Sequence, residues 1–161
     1  MNKIEQELYD CIKTSYPNFT VDYDKAAEML YSHVLTYMKD FSLWCKNNYT
    51  IISENEWIKQ DVNSRDKYTM SQIIYLYDKT RIETEYYSII KSCYSNYSDK
   101  NTRAFDIYYL IALKYMQGYV NWHHFNFVEY TNDLWLERSD YSISKQAYYM
   151  TQVLELYIKQ L

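Results

Sequence analysis

Apolar side chains recur along this chain at intervals of three and four residues, the spacing that gathers them on one face of an α-helix. Ile4, Leu8, Cys11 and Ile12 predict a first helix over 3–15, ended by Pro17. Ala27, Leu30, Val34, Met38, Phe41 and Cys45 predict a second over 24–46, opened by Asp22 or Asp24. Ser53 and Glu56 have the spacing of a capping box, which predicts a short helix through Trp57, Ile58 and Val62. The polar run 61–67 follows as a loop. Residues 69–97 read as helix in two pieces. Met70, Ile73, Ile74 and Tyr77 face inward in the first, and Ile82, Tyr86, Ile89, Ile90 and Cys93 in the second, behind a Thr80–Glu83 capping box.

After a loop over 95–101, the segment 103–117 differs from the others. Phe105, Ile107, Tyr108, Leu110, Ile111, Leu113 and Met116 leave it little polarity on any side. An all-round apolar helix belongs at the centre of a bundle. Gly118 reads as its left-handed stop. A further helix is expected over 121–136, with Trp122, Phe125, Val128 and Trp135, and a last one over 142–160. No internal repeat or linker divides the chain in this reading. The expectation is one all-α domain over 1–161, a bundle of about seven helices around a buried central one.

Composition sharpens this in one respect. The chain of 161 residues holds a single glycine and a single proline. Tight β-turns ordinarily draw on glycine, so its scarcity favours helices. The formal net charge of −4, with no Lys/Arg cluster, speaks against nucleic acid as a partner. No apolar run approaches the ~20 residues of a membrane span. The polar N-terminus lacks the form of a secretory signal, and three well-separated cysteines suit a reducing compartment, so a cytoplasmic location is expected. The 22 tyrosines fit either AT-rich codon usage or a contact surface.

Chemistry-bearing residues are few. His123 and His124 are adjacent, so on a helix they point about 100° apart and cannot share one ion. His33 is the only other histidine, and the cysteines show no paired spacing. Glu54/Glu56 and Glu83/Glu85, spaced by two, diverge in the same way. No nucleophile motif or phosphate loop accompanies them. The expectation is a non-enzymatic protein with no metal and no cofactor.

The apolar helix before Gly118, followed by Asn121-Trp122, resembles the central helix and first homology motif of Bcl-2-like proteins. That motif reads Asn-Trp-Gly-Arg; here His123 and His124 follow, and its arginine is missing. The segments LYSHVLTYMKDFSLW, LYDKTRIETEYYSIIKSC and NTRAFDIYYLIALKYMQGYVNW are similar in order to the divergent poxviral Bcl-2-like family of innate-immune and apoptosis inhibitors. The likeness covers about 24–161. It implies an inhibitor in the host-cell cytoplasm that binds signalling or death proteins through helix faces. It further implies a homodimer through 24–46 and 121–136. A ligand groove would lie between 69–79, 82–97 and the start of the central helix. Met70, Ile74 and Tyr77 would line its floor and Tyr87 and Arg81 its rim, with Arg81 or Arg103 standing in for the missing arginine. The alternative is a phage or bacterial anti-defence or immunity protein that blocks a nuclease or nucleic-acid-binding site by charge complementarity.

Overall fold

The structure is a computed structural model that describes residues 1–17, 22–53, 56–61, 63, 65–77, 79–94, 100–131, 133–138 and 143–161. Along these run α1 (Lys3–Ser15), α2 (Tyr23–Asn48), β1 (Tyr49–Ser53), β2 (Glu56–Lys59), β3 (Lys67–Tyr68), α3 (Met70–Tyr75), α4 (Lys79–Cys93), α5 (Thr102–Asn126), β4 (Phe127–Thr131), β5 (Leu134–Arg138), β6 (Ile143–Tyr149) and α6 (Met150–Ile158). The strands form two antiparallel sheets, ordered β1-β2-β3 and β4-β5-β6.

The all-α bundle is therefore corrected to a mixed α/β fold with six helices among the described residues. The capping-box helix at 53–62 is replaced by the β1–β2 hairpin, in which Trp57 pairs with Ile51. Glu54, Asn55 and Val62 lie outside the described residues, as does most of the 95–101 loop. The expected helix 121–136 stops at Asn126 and continues as β4 and β5. The expected helix 142–160 is β6 followed by α6. Asp133 shows why scarce glycine misled. It takes the left-handed backbone of the β4–β5 turn (φ 64°) itself, a conformation Asp tolerates better than most residues.

α5 runs straight through Gly118. A Cβ there would collide with the Tyr157 hydroxyl, so this glycine serves close approach of α6 rather than a helix stop. Nor is α5 buried all round. Leu110 is 66 % exposed, Ile107 is exposed and Ile111 is half-buried.

The order α-α-βββ-α occurs twice, and the sequence repeats with it, which corrects the reading of a chain without internal repeat. At a spacing of 78 residues, Ile4, Glu5, Glu7, Tyr9, Ile12, Lys13 and Tyr16 recur as Ile82, Glu83, Glu85, Tyr87, Ile90, Lys91 and Tyr94. Tyr37, Met38, Trp44, Asn48 and Trp57 recur as Tyr115, Met116, Trp122, Asn126 and Trp135. Two residues later in register, Met70-Ser-Gln72 recurs as Met150-Thr-Gln152. Local devices repeat as well. Asn48 donates to the Trp44 carbonyl and Asn126 to the Trp122 carbonyl, both at 2.7 Å, closing the last turn of each long helix. Gln60 donates to the Tyr49 carbonyl, and Arg138 to the equivalent Phe127 carbonyl. The Gln72 and Gln152 side chains accept from the backbone of Thr69 and Tyr149, each at 2.8 Å. Both hairpins break register at the same place, between Ile51 and Ser53 and between Glu129 and Thr131.

The described chain forms two compact units, and each contains parts of both copies. The first comprises 1–36 and 75–115, hence α1, α4 and the opening parts of α2 and α5. Here helices pack across copies. Lys114 on α5 bonds Glu7 on α1 at 2.8 Å, while His33 on α2 meets the equivalent Glu85 on α4 at 3.3 Å. Tyr16 and its counterpart Tyr94 touch each other, ring centroids 4.9 Å apart. The second unit comprises 37–74 and 116–161, with both sheets. Reciprocal contacts of this kind are what a two-fold exchange of equivalent halves produces.

Candidate functional site

Of the residues that raised a chemical question, His33 and Glu85 meet in the first unit, whereas His123 and His124 lie together in the second. α2 contributes Ser42 and Lys46, α5 His123 and His124, β2 Trp57 and β5 Trp135. Ser42 and His123 are both 0 % exposed, and Ser42 Oγ lies 2.7 Å from His123 Nδ1. His124 Nε2 lies 3.3 Å from the Ser42 carbonyl. The Trp135 ring stands edge-on to His123, centroids 4.2 Å apart, and Tyr119 stacks on the imidazole at 5.4 Å.

Burial, in a region that also holds Lys46, governs the electrostatics. Desolvation, then the neighbouring His124 and Lys46, push the His123 pKa down to about 3. Desolvation, with Arg138 and Lys46 adding to it, pushes His124 down to about 4 against the Ser42 carbonyl bond that favours its charged form. Both rings are neutral at pH 7. A hydroxyl donating to His123 Nδ1 leaves the ring proton on Nε2, which has no hydrogen-bond partner among the described residues.

A serine bonded to a histidine is half of a nucleophile–base arrangement. This pair is sealed from solvent on both members, so it acts as a polar tie between α2 and α5. Among the described residues no group of three His, Cys, Asp or Glu side chains could hold a metal ion. No helix of the described residues is long and apolar enough to cross a membrane.

The exchange of the two copies is clearest at this cluster. Lys46 Nζ stands 5.2 Å from the Trp135 ring centroid, while the equivalent His124 meets the equivalent Trp57 edge-on at 5.4 Å. Each long helix thus presents a basic side chain to the tryptophan of the other copy's second strand. Lys46 also pairs with Glu129 on β4.

The expected groove residues fall differently. Met70 and Ile74 are buried in α3, in the second unit. Tyr77, Arg81, Tyr87 and Arg103 belong to the first. Arg81 bonds Glu85 one turn along α4, and Arg103 is exposed near the start of α5. Tyr87 is buried and forms part of an open cavity beside α4. The helix 121–136 proposed for dimerisation is half strand.

Sequence reasoning passed over two exposed residues. Ile52 on β1 is 49 % exposed and Tyr130 on β4 is 66 % exposed. They are equivalent positions, each at the register break of its hairpin. Only the internal repeat could have singled them out. Compared with known protein families, characterised proteins and solved structures, the chain matches none.

Proposed function

We propose that this chain is a non-catalytic protein-binding domain that engages its partner through the two equivalent β-hairpins. The observation that supports it is the pair Ile52 and Tyr130. A β-bulge re-aims one side chain out of the ladder, and such irregularities are devices rather than defects. Here both copies use the same irregularity to hold a large apolar residue in water. Packing gives no reason to keep that feature twice. Burial of exposed aromatic and aliphatic anchors is what supplies affinity at protein interfaces. A partner with two equivalent acceptor sites, such as a homodimer, fits twin anchors best, since linked contacts raise avidity without new chemistry. This keeps the expectation of a protein-directed inhibitor and moves its contact surface from helix faces to hairpins.

Affinity capture from the source cells, comparing the native chain with Ile52→Glu/Tyr130→Glu, tests the reading. A partner held by the native chain should be lost from the double variant and kept by Leu110→Glu, an exposed control. Each single variant should weaken binding by about 1–3 kcal/mol. A partner retained by the double variant, with its melting temperature unchanged, would contradict the proposal.

A further inference from the structure

The duplication supplies an internal comparison, and one surface fails to match its sister. In the first unit, α4 borders a cavity of about 660 Å³, open to solvent. Thr80, Thr84, Ser88 and Lys91 line it from successive turns of one helix face, Tyr87 forms a wall, and Lys100 enters from the residues before α5. Lys100 Nζ lies over the Tyr87 ring, 5.1 Å from its centroid. Among the described residues Glu83 is the single acid in the lining. Among the described residues neither Lys91 nor Lys100 pairs with a carboxylate.

The equivalent positions of the first copy read Asn2, Gln6, Asp10, Lys13, Tyr9, Asp22 and Glu5. Asn2 and Asp22 are spent there as helix N-caps, accepting from the Glu5 and Lys25 backbone. The second copy caps α5 with Asn101 instead. Its face has exchanged Asp10 for Ser88 and Asp22 for Lys100, and put threonines where Asn2 and Gln6 stand. The retained Glu, Tyr and Lys frame is shared. What changed is the removal of two carboxylates and the arrival of one ammonium and three hydroxyls, on a chain whose net charge is −4.

We propose that this cavity binds a small molecule through a phosphate group. Two ammonium groups and three hydroxyl donors suit a dianionic phosphomonoester, and the volume lies within the roughly 300–1,000 Å³ typical of small-ligand sites. Lys91 and Lys100 carry the charge recognition. Thr80, Thr84 and Ser88 donate to the remaining phosphate oxygens. Thr84 turns its hydroxyl to the Thr80 carbonyl, at 2.9 Å, and must rotate to bind.

Calorimetric titration of the full chain with inorganic phosphate, adenosine monophosphate and adenosine decides the matter. Both phosphates should bind saturably, with the mononucleotide at a Kd below about 1 mM, and adenosine should not. Lys91→Gln, Lys100→Gln and Ser88→Asp, which restores the sister copy's acid, should each weaken binding by about tenfold or more, whereas Lys13→Gln on the sister face should leave it unchanged. No saturable heat with either phosphate, equal binding of adenosine, or equal losses from Lys13→Gln would overturn the proposal. Thermal melts of each variant separate misfolding from loss of the site.

Discussion

Replacing Trp135 or Trp57 by alanine should each cost about 3–5 kcal/mol of unfolding free energy, the range found for large aromatic truncations in packed cores. Both side chains are buried, Trp57 completely. Each also meets the basic residue of the other copy's long helix, so truncation opens a cavity and strips a ring contact together. Neither indole N–H has a hydrogen-bond partner among the described residues. Tryptophan to phenylalanine removes that orphan donor while keeping most of the volume, and should cost less than half as much as alanine. Chemical denaturation of the four variants checks this. Equal costs for phenylalanine and alanine would show that the indole N–H is bonded in solution.

Acid should unfold this protein earlier than its carboxylates alone would. His123 and His124 have native pKa values near 3 and 4, below the ordinary value of 6.5. The unfolded chain therefore binds more protons as pH falls, and stability is lost with it. Above pH 7 both states are neutral at these sites and nothing changes. Below about 6 the loss steepens toward about 2.7 kcal/mol per pH unit for the two groups together, reaching about 5 kcal/mol by pH 4.5. That is comparable with the whole stability of a small domain, about 5–15 kcal/mol. Ser42→Val/His123→Cys installs the residues found at the equivalent positions, Val120 and Cys45, and should halve the slope of stability against pH between 6 and 4.5. An unchanged slope would mean that His123 is not held neutral in the fold.

Much of the helical half was legible. The stripe through Ile4, Leu8, Cys11 and Ile12 placed α1 to the residue, and those side chains are buried as expected. The failures share one cause. Trp122, Phe125, Val128 and Trp135 sit at helical spacing by count, yet Tyr49-Thr-Ile-Ile and Phe127-Val-Glu-Tyr-Thr carry the β-branched and aromatic residues that suit a strand. Short strands abutting long helices, with no glycine between them, left the three-and-four count unbroken. Asn48 and Asn126 close those helices through their side chains, a signal visible once the two are aligned. The tyrosines misled differently. Tyr37, Tyr86, Tyr108, Tyr115 and Tyr119 are core residues, so their abundance is an aromatic interior as well as a surface trait. Exposed Ile52 and Tyr130 and the lysine-lined cavity were not legible in the apolar pattern, because each stands out only against its equivalent elsewhere in the chain.

Two copies of one α-α-βββ-α repeat have exchanged partners within this single chain. Nuclear Overhauser contacts in an isotope-labelled sample report this exchange. Contacts are expected between the Trp57 indole and the His124 ring, and between the Trp135 indole and the Lys46 side chain. Contacts pairing Trp57 with Lys46 and Trp135 with His124, each within its own copy, in place of these would contradict it.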